Sequence, residues 1–247
     1  MREENSLRTL IIADPHDRMK KMLRIIEKEP HDRLMILGDF FDNYDTGITD
    51  AAETAKVVKV LLNDPDTDCL LGNHDMSYGW GRLNREHLCP GYEDGKYSVI
   101  RARLTVEDWQ KFKLHVWLEG TERPWLLSHA GVHPYLLHGV PRVELRRYID
   151  VVCEDAWRKL NAGAHHFLLG RGRSRCGDQQ VGGINWMDWD ELVPIPGLNQ
   201  MVGHSGHGQV HYKRWPTSEN IDLDTSMRYY AVFEDGEMEI KSYDDLR

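Results

Sequence analysis

Cysteine is scarce in this chain, and the few present do not pair. Cys69, Cys89, Cys153 and Cys176 show no CxxC or similar spacing, so buried free thiols are expected rather than a disulfide framework or a thiolate zinc knuckle. Long apolar runs are absent too. Nothing approaches the roughly 18 residues of a membrane span, so no membrane partner is expected. The opening stretch MREENSLRTL is charged and lacks the apolar core of a secretory signal, which predicts a cytoplasmic location. Basic charge is in deficit, with 31 Lys and Arg against 40 Asp and Glu and a net charge of -9. That balance disfavours a surface tracking a long nucleic acid, although a local basic patch stays open. There is no internal repeat and no low-complexity linker. With 247 residues, 40% of them hydrophobic, the chain is expected to form a single domain over 1–247.

Histidine, by contrast, is abundant at thirteen. Strand and helix patterns alternate around these residues. RTLIIA (8–13), LMIL (34–37) and DCLL (68–71) read as buried strands, with helical periodicity over about 18–29 and 49–62. This rhythm predicts βαβ units and a mostly parallel sheet. It breaks after Asp75. Residues 76–104 are rich in turn formers, 105–119 has a helical pattern, and 76–124 reads as an insertion or cap at the domain edge. WLLS (125–128) is a further strand, 143–161 a helix, and 171–183 a glycine- and arginine-rich loop. Met201-Val202 is a short strand, and 229–242 forms a hairpin around Asp235-Gly236.

The apolar strands end in similar polar company. LIIADPH stops in Asp14 and His16, LMILGDFFD in Asp39 and Asp42, and CLLGNHD in Asn73, His74 and Asp75. WLLSHAGV stops in His129, and NQMVGHSGH in His204. The C-terminal ends of parallel strands lie along one edge, where open α/β sheets place their ligands. Carboxylates gathered there repel one another and are costly to bury, so a positive partner is implied. Imidazole mixed with carboxylate suits Mn, Fe or Zn. The donors outnumber the four of a structural zinc site. Two metals sharing one carboxylate would use them all, an arrangement that serves in-line displacement at phosphorus.

In order, DxH, GDxxD, GNHD, a lone His after a strand and a final GH resemble the calcineurin-like metallophosphoesterase superfamily over roughly residues 8–235, with 76–124 outside the likeness. SHAGV, IPGLNQMVGHS and NIDLDT are most similar to its branch of Ser/Thr protein phosphatases and symmetrical diadenosine tetraphosphatases. The resemblance implies an α/β fold, a β-sandwich of mixed sheets flanked by helices in four αββα layers, with an inserted segment after the third strand. It implies two divalent metal ions, Mn first, with Fe or Zn as alternatives. Asp14 and His16 would hold one, Asn73, His129 and His204 the other, and Asp39 would bridge them. His74 would protonate the leaving group, oriented by Asp42, after attack by a metal-bridging hydroxide.

The chain departs from that pattern in places. Where the protein phosphatases carry phosphate-gripping arginines, this chain has Asn43-Tyr44 and Met76-Ser77. Arg171, Arg173 and Arg175 are the replacement candidates, with Arg82 weaker. GHSGH sets His207 one residue beyond the second His of a GHxH diesterase motif, which leaves it a candidate ligand. Asp75 is expected to support the loop, and His133 to sit in a loop near the site. Tyr78 and Trp80 are expected in the core or along a substrate wall. His31, His87, His115, His138, His165, His166 and His211 are expected as surface or core residues. The leading function is a phosphatase acting on a phosphomonoester, of a small molecule or phosphoprotein, or on a nucleotide phosphoanhydride. A phosphodiesterase for cyclic nucleotides or short nucleic acid is the alternative, and a non-catalytic binding module stands behind both.

Overall fold

Four-residue runs such as TLII, RLMI, WLLS and NQMV are buried along almost their whole length, so both faces of each strand must be covered. The computed structural model describes residues 7–137 and 139–246, which leaves residues 1–6, His138 and Arg247 outside. Ten strands are present among them. They are β1 (Thr9–Ile12), β2 (Arg33–Ile36), β3 (Thr67–Cys69), β4 (His115–Leu118), β5 (Trp125–Ser128), β6 (Asn199–Val202), β7 (His211–Trp215), β8 (Ser218–Asp222), β9 (Tyr229–Glu234) and β10 (Glu237–Ser242).

They form two five-stranded sheets, ordered β10-β9-β1-β2-β3 and β4-β5-β6-β8-β7. Strands β1, β2 and β3 run parallel, as do β5, β6 and β8, while the remaining strands join antiparallel. The single, mostly parallel sheet predicted by the βαβ rhythm is therefore corrected to the two mixed sheets that the resemblance implied. Alternation along the strands shows how the layers stack. Ile11, Ala13, Met35 and Leu37 pack in one cluster with Leu127, Met201, Ile221 and Phe233, the core between the sheets. Their neighbours Leu10, Ile12, Leu34 and Ile36 join the larger cluster with the helices. Burial on both faces hides the period of two that would have announced a sandwich.

The helices are α1 (Met19–Lys28), α2 (Ile48–Leu61), α3 (Asn73–Trp80), α4 (Asp94–Arg101), α5 (Val106–Trp109) and α6 (Leu145–Asn161). Helix α1 buries Met19, Met22 and Ile25, one residue per turn, and stops at Glu29 because Pro30 follows. The helix expected over 105–119 is overturned. It lasts only through α5, capped by Thr105 and Asp108, and HVWL then pairs with β5 as an edge strand. Val116 and Leu118 face the inter-sheet core, while the Trp117 indole donates to Asp150 of α6 at 2.8 Å. Strands β7 and β8 escaped the sequence reading because HYKRW and SENID are polar.

One buried acid ties the first sheet to α1. Glu29 sits just past the helix and accepts from Arg8 at 2.6 Å, Tyr230 at 2.7 Å and Lys241 at 2.9 Å. Burial alone would raise its pKa, but Lys241, Tyr230 and Arg8 outweigh that and hold it below its ordinary 4.5. Folding thus favours the ionised form, whose stabilisation is present above that value and lost as pH falls below it. Glu29→Gln should cost about 1–2 kcal/mol near neutrality by urea unfolding. The gap to wild type should close as pH drops below 4.5. A gap that stays constant with pH would contradict this.

Candidate metal centre and active-site cleft

Each strand end turns sharply as it leaves its sheet. Asp14, His16, Asp39, Asp42 and His204 all adopt left-handed backbone conformations, with φ of 48°, 41°, 54°, 69° and 75°. Such geometry costs a side-chain-bearing residue about 1–3 kcal/mol and clusters at functional sites. Here it turns the chain so that five polar side chains gather within two to six residues of the strand ends. Close approach explains two of the glycines. A Cβ on Gly72 would stand 2.1 Å from Asp39 Oδ1, and one on Gly203 would stand 1.8 Å from Asp14 Oδ2. The break after Gly72 in CLLGNHD is the first turn of α3, so Asn73, His74 and Asp75 open a helix.

The ends come from both sheets, β1, β2 and β3 from one and β5 and β6 from the other. Among the described residues they build two donor groups able to hold a metal ion, Asp14–His16–Asp39 and Asp39–His129–His204, with Asp39 common to both. Asn73 joins the second, its Oδ1 lying 2.9 Å from His129 Nε2. His129 Nε2 also lies 3.2 Å from His204 Nδ1 and 3.4 Å from Asp39 Oδ2.

The tautomers follow from neighbouring carbonyls. His129 Nδ1 is 2.8 Å from the Leu37 carbonyl, and His16 Nδ1 is 2.8 Å from the Phe41 carbonyl. A carbonyl only accepts, so each Nδ1 carries a proton, and in the neutral ring each Nε2 presents a lone pair towards Asp39. Lone pairs of imidazole, carboxamide and carboxylate pointing at one another need a cation, whether a proton or a metal ion, between them. Asp14 Oδ2 and His204 Nε2 are buried without a hydrogen-bond partner. This donor set fits divalent metal ions.

Charge tells the same story. Burial pushes the Asp14 carboxyl well above its usual range, helped by the carboxylates of Asp224 and Asp39. Burial would raise Asp39 as well, but the imidazoles of His129, His74 and His16 hold it low. Burial and Asp39 push Asp75 up to about 7, although it accepts backbone N–H bonds from Asp39 at 2.8 Å, Phe40 at 2.9 Å and Gly72 at 3.0 Å. Those bonds are the loop support expected of it.

His74 stands beside the donor groups. Its Nδ1 lies 3.0 Å from Asp42 Oδ2, its backbone N–H donates to Asp39 Oδ1 at 2.9 Å, and its ring meets His16 edge-on at 5.3 Å. Burial lowers its pKa, but Asp39 and Asp42 raise it further, and the net shift is upward. The other oxygen of Asp42 takes the Tyr78 hydroxyl at 2.5 Å and the buried Lys96 ammonium at 3.3 Å. Neither partner was anticipated. Tyr78 lies four residues after His74 on α3, a spacing that could have flagged it, but nothing in the sequence marks Lys96.

These groups line a cleft of about 700 Å³. Arg171 and Arg175 line it as well. Arg171 donates to the Glu86 carbonyl at 3.1 Å and lies over the Trp186 ring, and Arg175 pairs with Asp188 at 2.8 Å. Arg173 is exposed and outside the lining, and Arg82 is taken by Asp94 at 2.9 Å and the face of Tyr97. His207 stacks on His211 at 3.9 Å with its Nε2 3.7 Å from Asp222, and it belongs to neither donor group. Three charged lining residues were missed: Arg18, Arg228 and the buried Asp224. Asp224 follows β8, whose polar sequence concealed one more strand ending in acids. Tyr78 and Trp80 are core residues, and His133 accepts the Tyr135 N–H in a turn.

Residues 7–218 match the family model described as calcineurin-like phosphoesterase. No curated protein matches the sequence. Among solved structures, a cold-active protein-tyrosine phosphatase of a psychrophilic Shewanella species is 13% identical, with a TM-score of 0.57 over 96% of this chain and 78% of its own. A metallophosphoesterase from Sphaerobacter thermophilus is 16% identical, with a TM-score of 0.49 over 96% of this chain and 88% of its own. A protein serine/threonine phosphatase from Saccharomyces cerevisiae is 13% identical, with a TM-score of 0.49 over 98% and 81%.

The glycine contacts are directly testable. Gly203→Ala should force its new methyl group against Asp14, lowering the thermal midpoint and the amount of added divalent metal retained after gel filtration. A variant with wild-type stability and metal content would show that the approach is not constraining.

Proposed function

The chain belongs to the calcineurin-like phosphoesterase family, and we propose that this metal-dependent phosphoric ester hydrolase is a dinuclear phosphatase acting on phosphomonoesters or nucleotide phosphoanhydrides. The observation that carries the reading is the sharing of Asp39 by both donor groups. Asp14, His16 and Asp39 would hold one divalent ion, and Asp39, Asn73, His129 and His204 the other, with Mn²⁺ the first candidate. Bound ions supply Lewis acidity towards a phosphoryl oxygen and a lowered water pKa.

The remaining work falls to the chain's own side chains. Hydrolysis breaks the bond between phosphorus and the leaving oxygen, and that oxygen needs a proton. His74 is the donor: Asp42 orients its ring through Nδ1 and favours the imidazolium, leaving Nε2 for the substrate. Tyr78 and Lys96 hold Asp42 in turn, so the acid is fixed from behind. Arg171 and Arg175 are the guanidinium groups available for the non-bridging phosphoryl oxygens. Substrates are therefore phosphorylated small molecules, nucleotides or phosphoproteins.

His74→Ala should keep its metal by elemental analysis and lose about 10²–10⁴-fold in kcat on esters with poor leaving groups. Full activity on those esters would refute the acid role. Asp39→Ala should lose metal from both groups together, and retention of one equivalent would contradict the shared ligand. With Mn²⁺ present, p-nitrophenyl phosphate should turn over faster than its bis-ester. Turnover of the bis-ester alone would establish the phosphodiesterase instead, and no turnover of any phosphoester would sink the enzymatic reading.

A further inference from the structure

We propose that the cleft contains a second anion subsite, built from Arg18 and Arg228, that receives a phosphoryl group carried by the leaving group. This rests on the phosphatase reading above and narrows its substrate class to compounds bearing a second phosphate.

Arg18 lies two residues beyond His16 and Arg228 four beyond Asp224, and both line the cleft with His74. Among the described residues neither forms an ion pair with a carboxylate. The adjacent acid, Asp17, is already occupied by the hydroxyls of Thr46 and Thr54, each at 2.7 Å. Arg228 donates to the Gly208 carbonyl at 3.3 Å, which anchors it at the cleft without neutralising it. A third cation stands close by, since Lys21 donates to the Ser226 carbonyl at 2.9 Å. Burial depresses the Lys21 pKa, and the charges of Arg18 and Arg228 depress it further, with Asp244 opposing in part. Asp244 and the cleft acid Asp224 offset part of this charge, but among the described residues the two cleft-lining guanidinium groups have no carboxylate paired to them and can take an anion.

Position assigns the subsite to the leaving group. His74, the proposed proton donor, packs edge-on against His16, two residues before Arg18, and Arg18 and Arg228 line the same cleft as His74. Arg175, by contrast, donates to the Ser205 hydroxyl at 3.2 Å, beside His204 of the other donor group. Tyr44, two residues past Asp42, also lines the cleft and is 80% exposed, which offers a flat apolar face to the organic part of the substrate. A volume of about 700 Å³ is in the range that accommodates a whole small molecule rather than a phosphoryl group alone. The step itself is simple hydrolysis. Water supplies the new oxygen on phosphorus, His74 supplies the proton on the leaving oxygen, and a phosphorylated alcohol departs.

Two aryl esters that differ only in the second phosphate test this, 4-hydroxyphenyl phosphate and 1,4-phenylene bisphosphate, assayed with Mn²⁺. The wild type should prefer the bisphosphate by about tenfold or more in kcat/KM. Arg18→Gln/Arg228→Gln should bring that ratio near unity, while Arg18→Lys/Arg228→Lys should retain most of it. A wild-type ratio near one, or a ratio unchanged in the glutamine variant, overturns the subsite. Failure of the wild type to hydrolyse either ester or p-nitrophenyl phosphate would instead count against the phosphatase reading beneath it.

Discussion

The site depends on one buried carboxylate that cannot stay there uncompensated. Asp39 is almost fully inaccessible and lies within reach of three imidazoles, with the acids Asp14, Asp75 and Asp224 also close. Everything around it either pins its position or answers its charge. Its backbone is held left-handed, its N–H is tied to Asp75, and its Oδ1 accepts the His74 N–H while Gly72 leaves room for it. Replacing any of these would move the atom on which both donor groups converge.

The segment that carries Asp39 also sets the direction of its partners. The Leu37 carbonyl fixes the ring of His129, which comes from the second sheet, and the Phe41 carbonyl fixes His16, which follows β1. Asp42, from the same turn, fixes His74. Six residues after β2 therefore organise two donor groups and the adjoining histidine. This gives a physical reason for packing the sheets face to face, because the inter-sheet core brings the end of β5 against the end of β2. It also separates two jobs within CLLGNHD. Asn73 faces the second donor group, and His74 faces the cleft.

Much of this was legible because each motif is local. An apolar strand ending in Asp, Asn or His can be read without knowing where the strand goes, and the five ends that could be read do converge. What could not be read depends on tertiary partners. The HVWL stretch has a spacing compatible with a helix and becomes a strand only because β5 is there to pair with it. SENID is too polar to announce a strand, so Asp224 behind it was missed. Lys96 reaches Asp42 from a segment expected to stand apart as an insertion, and Arg173 turns outward where Arg171 and Arg175 turn in. Side-chain direction in a loop is set by packing, which spacing does not record.

The proposed pair of ions is the centre of this account, and anomalous diffraction tests it most directly. Crystals equilibrated with Mn²⁺ should show two anomalous peaks roughly 3.5–4 Å apart, one on each side of the Asp39 carboxylate, as two-metal sites display. The peak nearer β1 should contact Asp14 and His16, and the other Asn73, His129 and His204. A single peak, or a pair in which Asp39 touches only one ion, would contradict the bridging role.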